Sequence, residues 1–268
     1  MHFFSELRQL LWHFLWWLIM FLLVSAAFFA IGFNETVFEG YHFFVPVITT
    51  DSVAAAFFNQ MVADLVPAGV TLVVTNPLSP FLIQMQIAFF LGFLATAPLF
   101  LYRLLRYLSP ALYPRERHTI LLLIIPTTLL FSCGAAFSYY FIIPPTFSFL
   151  YTYASTLNAL PYFTAGEFIG FALSMLVATG FMFLLPIAMA LLSRLGIIGR
   201  SVWRRQWRYA TLTFLIVTAI ITPDGSGISM LMLTLPLLGL YVVGIAVSGK
   251  EQGSIINNQA LTLRGDNT

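Results

Sequence analysis

The sequence has few charged side chains, because Asp, Glu, Lys and Arg together make up only 8% of its 268 residues. Hydrophobic residues make up 60%, and 28 of these are phenylalanine. A soluble core cannot bury so large an apolar fraction, and long uncharged runs are typical of membrane spans. We therefore expect an all-α, polytopic membrane protein.

The sequence also lacks the residues that most catalytic sites need. Its one cysteine, Cys133, allows neither a disulfide within the chain nor a thiolate metal site, and we expect this side chain to serve packing. Four histidines are scattered along the chain, and no HExxH motif occurs. Gly225-Ser226-Gly227 has the composition of a tight turn, and no histidine follows that could activate the serine. We expect no enzymatic activity, no metal and no cofactor.

Basic residues are absent from every second interval between the apolar runs. All twelve fall on one predicted side: Arg8; Arg103, Arg106, Arg115 and Arg117; Arg194, Arg200, Arg204, Arg205 and Arg208; Lys250 and Arg264. Six acids fall on the opposite side, with no Lys or Arg among them: Glu35, Glu39, Asp51, Asp64, Glu167 and Asp224. Because loops rich in Lys and Arg stay in the cytoplasm, we expect both termini to be cytoplasmic.

The apolar runs predict six transmembrane helices in a single domain of residues 1–247, followed by a disordered tail at 248–268. The helices are expected at about residues 10–33, 80–107, 119–143, 168–193, 209–222 and 228–247. The third should stop at Pro144–Pro145, because a proline pushes its predecessor out of helical geometry. The fifth and sixth should be short, since the fifth spans only about 20 Å of a ~30 Å hydrocarbon core. Val53–Val66 is too short to cross, which predicts an interfacial helix.

The densest cluster of charge lies between the second and third predicted helices. Tyr102–His118 carries five Arg or His residues and a single acid, Glu116, which stands between two arginines. Near the N-terminus, Ser5-Glu6-Leu7-Arg8 also places a glutamate beside an arginine on the same predicted side. Guanidinium groups bind carboxylates in a bidentate manner, so two such glutamates can address two arginines of a ligand. The alternative is that both glutamates only balance local positive charge.

Several motifs together resemble the TatC family, the core subunit of twin-arginine protein translocation. Members open with an E-L-R-x-R element, here Glu6-Leu7-Arg8, and their first inner loop reads approximately P-A/G-L-Y-x-x-E-R, here Pro110–Arg117. Further matches are Ser79-Pro80-Phe81, Leu130-Phe131 with Gly134, Phe137 and Tyr139, Pro186, and Thr222-Pro223. The resemblance covers roughly residues 4–247 in the six-helix order of the family. The chain departs from the family pattern at four positions: Leu10 for the second arginine, Gln86 for a lysine, Tyr107 for a phenylalanine, and Leu184 for an acidic or amide residue.

The resemblance implies a non-enzymatic receptor in the cytoplasmic membrane of a prokaryote. Its expected ligand is the twin-arginine signal peptide of folded cargo proteins, bound by Glu6, Arg8, Tyr107, Pro110, Leu112, Arg115, Glu116 and Arg117. The expected protein partners are single-span subunits of the TatA and TatB type, docked near Leu184, Pro186, Thr222 and Ser229. Self-association within a receptor complex and contact with the lipid bilayer are also implied, and nucleic acid is not.

A secondary transporter of a small solute is the alternative function. Pro98 and Pro186 lie within the second and fourth predicted helices, and interrupted helices can build a binding site. The sequence has no visible internal repeat, and no carboxylate lies within the six predicted spans, which argues against ion coupling. A flux assay in vesicles would separate the two functions.

The charge pattern predicts a topology that single cysteines can test in a background without the native thiol. Three positions should react with an impermeant maleimide added outside intact cells: Asp51, Ser155 and Ser226. Three others should react only after lysis: Arg115, Ser201 and Asn257. Labelling of position 115 from outside would contradict the six-span topology.

Overall fold

Long apolar helices dominate the structure and confirm an all-α membrane fold. The computed structural model describes residues 2–38, 41–48, 52–66, 70, 72–108, 124–156, 163–194, 197–222 and 227–248. The chain divides at residue 180 into two packing units. The prediction of one domain over residues 1–247 stays a prediction.

The first unit contains three long helical segments and most of a fourth. Helix α1 (His2–Ala30) is followed by an antiparallel hairpin of β1 (Ile31–Phe38) and β2 (Tyr41–Ile48). The short helix α2 (Val53–Leu65) precedes α3 (Ser79–Leu108). The third segment consists of α4 (Ile124–Phe137), a π-helical turn (Ser138–Ile142) and α5 (Ile143–Thr156). A parallel two-residue ladder joins β3 (Leu72–Val73) to β4 (Phe163–Thr164), and α6 (Ala165–Phe183) follows.

The second unit is built around its last helix. It contains α7 (Leu185–Arg194), α8 (Arg200–Arg205), α9 (Trp207–Ile221) and α10 (Ile228–Val247), and the first three all pack against α10. Both α9 and α10 are shorter than α1, α3 and the segment from Ile124 to Thr156. With 15 residues α9 spans about 22 Å, whereas the 20 residues of α10 span about 30 Å. Gly227 is the N-cap of helix α10, and its φ of 69° favours glycine.

Length and composition identify four helices that could cross a membrane. They are Ser79–Phe100, Ile124–Thr152, Ala165–Ser193 and Ser229–Val247. Two shorter apolar helices, Phe14–Ala30 and Trp207–Ile221, correspond to the predicted first and fifth spans.

The third helix does not stop at Pro144–Pro145, and that prediction is wrong. A proline breaks a helix because it lacks an N–H and its ring clashes with the carbonyl four residues earlier. The chain instead widens at Ser138–Ile142, where the N–H of Ile143 donates to the carbonyl of Ser138, and the helix then continues to Thr156. The wider turn leaves both prolines in the first turn of α5, where a helix tolerates a missing N–H.

Two further predictions need correction. The first helix ends at Ala30 and not at residue 33, because the chain enters β1 and its hairpin. The Cys133 side chain is exposed and not packed inside the protein. Its neighbours Gly134 and Ala135 are the buried residues on this part of α4, so the thiol lies on another face of the helix. An apolar run in a membrane helix predicts contact with lipid as readily as contact with protein.

The predicted interfacial segment is helical and is fixed at its start. Val53–Leu65 forms α2, as the helical spacing indicates. Ser52 caps this helix because its hydroxyl accepts a hydrogen bond from the N–H of Ala55 at 3.3 Å. Gln84 of α3 donates a second hydrogen bond to the same hydroxyl. The start of α2 is therefore tied to the second long helix.

Helices α1 and α3 pack antiparallel through a row of aromatic rings. Ring centroids lie 5.4 Å apart in Phe29–Phe81, 5.9 Å in Phe21–Phe89 and 6.0 Å in Phe14–Phe100. Residue numbers therefore rise along α1 as they fall along α3. Within this row, a methyl group on Gly92 would overlap the buried side chain of Ser25. Glycine at position 92 is what allows the two helices to approach so closely.

We expect Gly92→Ala to destabilise the protein by about 1–3 kcal/mol, because the added methyl group overpacks the α1–α3 contact. Gly170→Ala is the matched control, since a methyl group on Gly170 of α6 meets open space. Unfolding by titration with SDS from mixed micelles measures the difference. Equal free energies of unfolding for the two variants would contradict this, because they would show that the α1–α3 contact accommodates the methyl group without loss of stability.

Candidate functional site

Three of the predicted signal-peptide residues, Glu6, Arg8 and Tyr107, have backbone positions toward one end of the α1–α3 pair. Glu6 lies eight residues before Phe14 in α1, and Tyr107 lies seven residues after Phe100 in α3. At 1.5 Å per residue, both backbone positions lie about 10–12 Å beyond the Phe14–Phe100 contact. Antiparallel packing puts them at the same end, and Arg8 is half a turn further along α1.

The side chains of these predicted residues lie outside the described part of the chain. Glu6, Arg8 and Tyr107 are described as helical positions only. The other five lie in the interval 109–123, which is also outside the described residues: Pro110, Leu112, Arg115, Glu116 and Arg117. This interval continues directly from the last turn of α3, so it starts at the end of the helix pair that carries Glu6.

Three of the four predicted partner-docking residues are buried within the second unit. Thr222 is 5% exposed and Ser229 is 2% exposed. The Thr222 hydroxyl donates to the carbonyl of Thr218 at 2.8 Å, which closes the last turn of α9. Pro186 is buried where α7 meets α10, and a methyl group on Gly244 would lie 3.2 Å from the Pro186 Cα. These residues hold the second unit together.

Leu184 is the fourth predicted docking residue, and it lies at a break between helices. Pro186 cannot donate a backbone hydrogen bond, so the ladder of α6 is interrupted before α7 begins. The N–H of Leu184 donates to the carbonyl of Phe181 at 3.1 Å, a tighter turn than that of an α-helix. The Leu184 side chain is half-buried, so part of its surface is free to meet another molecule.

A buried hydrogen bond that we did not predict joins the fifth and sixth helices. The hydroxyl oxygens of Thr218 in α9 and Thr234 in α10 lie 2.9 Å apart. Either can donate to the other, and the acceptor can still donate to a carbonyl of its own helix. One threonine on each side of an apolar hairpin is the signal in the sequence that could have indicated this pair.

A second polar cluster missed by the sequence analysis lies at the end of α2. Tyr139 of the π-helical turn donates to the Asp64 carboxylate at 2.6 Å, and Gln60 donates to both carboxylate oxygens at 3.0 Å. The hydrogen bond from Tyr139 and that from Gln60 lower the pKa of Asp64, so its exposed carboxylate is ionised at neutral pH. The cluster lies at the edge of a cavity of about 310 Å³.

Comparison with known proteins identifies the family. The model of the Sec-independent protein translocase protein (TatC) matches residues 5–236 of the chain. The chain belongs to the TatC family. The Sec-independent protein translocase protein TatC of Cenarchaeum symbiosum is 35% identical over 201 residues, which cover 75% of this chain and 76% of that protein. TatCy of Bacillus subtilis is 35% identical over 178 residues, which cover 66% of this chain and 70% of that protein.

Solved TatC structures share this fold. Two crystal structures of the twin-arginine translocase receptor TatC, one of them in DDM, match with TM-scores of 0.69 and 0.71. They are 28% and 27% identical to this chain, of which each match covers 91%, and the matches cover 97% and 99% of those chains. The resemblance based on short motifs is thereby confirmed at the level of family and fold.

The threonine pair of this TatC-family chain should contribute measurably to the fifth–sixth helix hairpin. We expect Thr218→Val or Thr234→Val to lower the free energy of unfolding by about 0.5–1.5 kcal/mol, because hydrogen bonds between membrane helices are of that size. Thr213→Val is the matched control, since Thr213 is exposed on α9 and bonds only to its own helix among the described residues. A double-mutant cycle in SDS titration measures the coupling, and strict additivity of the two changes would contradict a bond between them.

Proposed function

We propose that this TatC-family chain is the receptor subunit of a twin-arginine translocation system. It binds twin-arginine signal peptides of folded proteins and nucleates the translocon that exports them across the cytoplasmic membrane of a prokaryote. The observation that carries the proposal is the antiparallel register of α1 and α3. It supports a site in which Glu6 of α1 and Glu116 of the 109–123 interval act on one ligand at one end of the helix pair.

The chemistry of this site follows from the geometry of its groups. Each arginine of the ligand presents a planar fork of N–H donors, and each carboxylate presents two oxygens that match it. Glu116 and Glu6 then each take one guanidinium group. Arg115 and Arg117 favour the charged form of Glu116 while the site is empty, and Tyr107 offers an aromatic face on which a guanidinium can stack. A twin-lysine ligand lacks the planar fork and binds more weakly.

The orientation of the chain belongs to the same proposal. Loops that carry the twelve basic residues face the cytoplasm, so both termini and the 109–123 interval lie on the side from which folded cargo arrives. Cargo export needs no bond-breaking chemistry from this subunit, so we propose a receptor and not an enzyme. Membership of the TatC family also disfavours the alternative of a small-solute transporter.

We propose that single-span partners of the TatA and TatB type dock along α9. One face of this short helix is apolar and exposed over its whole length, through Leu212, Ile216 and Ile220. These residues repeat every four positions, which is the spacing that a packed helix pair uses. Pro186, Thr222 and Ser229 contribute by shaping the buried side of the second unit, while Leu184 offers apolar surface where relatives offer a polar group.

Charge reversal at Glu116 tests the receptor mechanism. Glu116→Arg replaces one carboxylate partner with a cation and should weaken binding of a twin-arginine peptide by roughly ten- to a hundredfold, since a charge-assisted contact contributes about 1.5–3 kcal/mol. Glu6→Ala should weaken it less, because it removes a carboxylate without adding repulsion. Photocrosslinking of the peptide to each variant at fixed salt provides the measurement.

Glu251→Arg is the matched control, because it makes the same charge change on the same predicted side of the membrane. It should bind the twin-arginine peptide as wild type does, and all variants should insert at normal levels. The twin-lysine peptide should crosslink weakly to every variant. If Glu116→Arg retained wild-type crosslinking, Glu116 would serve only local charge balance.

A further inference from the structure

The cavity beside α2 combines a polar edge with an apolar interior. Its exposed lining, the mouth, carries Asp64 and Gln60, with Tyr139 half-buried next to them. Its buried lining, the floor, is formed by apolar side chains from three helical segments: Phe90, Ala135 and Leu176. All twelve residues that line the cavity belong to the first unit. The cavity therefore has the polarity pattern of a site for an amphiphile.

The apolar lining extends deep into the second long helix. Gln84 of α3 donates to Ser52 at the start of α2, and Leu94 of the lining lies ten residues further along the same helix. Ten helical residues correspond to about 15 Å, and Leu94 lies within the candidate span Ser79–Phe100. The part of the cavity that Leu94 lines therefore belongs to a membrane-length apolar segment.

Among the described residues, no lysine or arginine shifts the pKa of the carboxylate at the mouth. Its pKa is lowered by hydrogen bonds from Tyr139 and Gln60. The sequence explains this, because no Lys or Arg occurs at residues 31–101, 119–193 or 209–249. No lysine or arginine of these intervals can pair with Asp64, so an ammonium or guanidinium partner at this membrane face would come from another molecule.

Aromatic rings at the mouth also favour a cationic head. Tyr139 and Tyr140 both line the cavity, with ring centroids 5.0 Å apart and planes at 77°. The faces of tyrosine rings attract ammonium groups, and tyrosines are common at the headgroup level of a bilayer. The mouth thus offers an ammonium group one full negative charge and two aromatic rings.

The size of the cavity suits a small, flexible occupant. Its volume of about 310 Å³ lies at the lower end of the range of small-molecule sites. The acyl chain of a lipid can bend to follow such a lining. The helix of a single-span partner is the other class of occupant, and crosslinking at Leu94 distinguishes the two.

We propose that this cavity binds an aminophospholipid, with the ammonium headgroup paired to Asp64 at the mouth and one acyl chain on the floor. Phe90, Leu94 and Leu176 contact the chain. Tyr139 and Gln60 donate hydrogen bonds to the Asp64 carboxylate and stabilise the structure at the cavity edge. The site is separate from the proposed signal-peptide site and does not depend on it.

Photoactivatable lipids test the proposal with the full-length protein in phosphatidylcholine nanodiscs. Probes with a diazirine in the acyl chain carry an ethanolamine, choline or glycerol headgroup. We expect the ethanolamine probe to label the α3 peptide that contains Leu91 and Leu94 about three- to tenfold more than either other probe. Its ammonium group is charged and donates N–H hydrogen bonds to the Asp64 carboxylate, whereas the choline headgroup has no N–H and the glycerol headgroup has no positive charge. Mass spectrometry of the peptides gives the yields.

Variants at the mouth and on the floor identify the contacts. Asp64→Asn should reduce labelling by the ethanolamine probe to the level of the choline probe, and Asp64→Glu should restore the preference. Leu94→Trp should lower labelling by all three probes, because the larger side chain fills the apolar part of the cavity. Glu167→Gln is the matched control, since it removes another exposed carboxylate that does not line the cavity.

Tyr139→Phe distinguishes a lipid site from a purely structural contact. It removes the hydrogen bond to Asp64 but leaves the carboxylate, so the melting temperature should fall while the headgroup preference remains. Equal labelling of wild type by the ethanolamine and choline probes would overturn the proposal, as would an unchanged preference in Asp64→Asn. A single-span protein that copurifies and crosslinks to Leu94 in place of lipid would also overturn it.

Discussion

The backbone of a membrane-spanning segment must satisfy its own hydrogen bonds, because hydrocarbon offers neither donors nor acceptors. Prolines interrupt this backbone at four places in the described spans, and the chain accommodates them in three ways. At Pro98 and Pro236 the helix simply continues. At Pro144–Pro145 the helix widens by one residue, and at Pro186 it breaks at Leu184 and restarts.

The same constraint governs the hydroxyl groups inside the spans. Thr96, Thr146 and Ser248 donate to the carbonyl four residues earlier, at 2.7–2.8 Å, so these polar side chains are satisfied within one helix. A buried threonine in this chain is therefore no indication of a site by itself. The informative exceptions bridge two elements, as Thr218 does with Thr234 and Tyr139 does with Asp64.

Sequence reasoning could predict the long helices because their apolar runs are set by bilayer thickness, which is the same for every span. It could also predict α2, because the apolar residues of this segment have helical spacing and the segment is too short to cross a membrane. It could not predict the π-helical turn, because the effect of two prolines depends on whether the helix can widen, and that depends on the packing around it. The β1–β2 hairpin was missed because its polar and apolar residues mix without a clear alternation.

The candidate site residues also differ in whether local sequence could predict them. The glutamates at positions 6 and 116 were found because they stand beside arginines in short motifs. Asp64 was missed because its partner Tyr139 lies 75 residues away and faces it only through the π-helical turn. Thr222 and Ser229 were assigned to a surface, but they are buried, because a span that is polar at its ends can turn these groups inward.

Because charge is distributed unevenly, the two proposed sites differ in their electrostatic surroundings. Around Glu116 arginines are already present, so an incoming guanidinium competes with Arg115 and Arg117 for the same carboxylate. Selectivity there depends on geometry. Only a ligand with two well-spaced guanidinium groups gains more binding energy from the two carboxylates than is lost when it displaces the local arginines. At Asp64 no lysine or arginine of the described residues competes, so a single ammonium group of modest affinity is enough for the proposed lipid site. In the proposed topology, one membrane face would thus be selective for a peptide, and the other would offer a hydrogen-bonded carboxylate to a lipid headgroup.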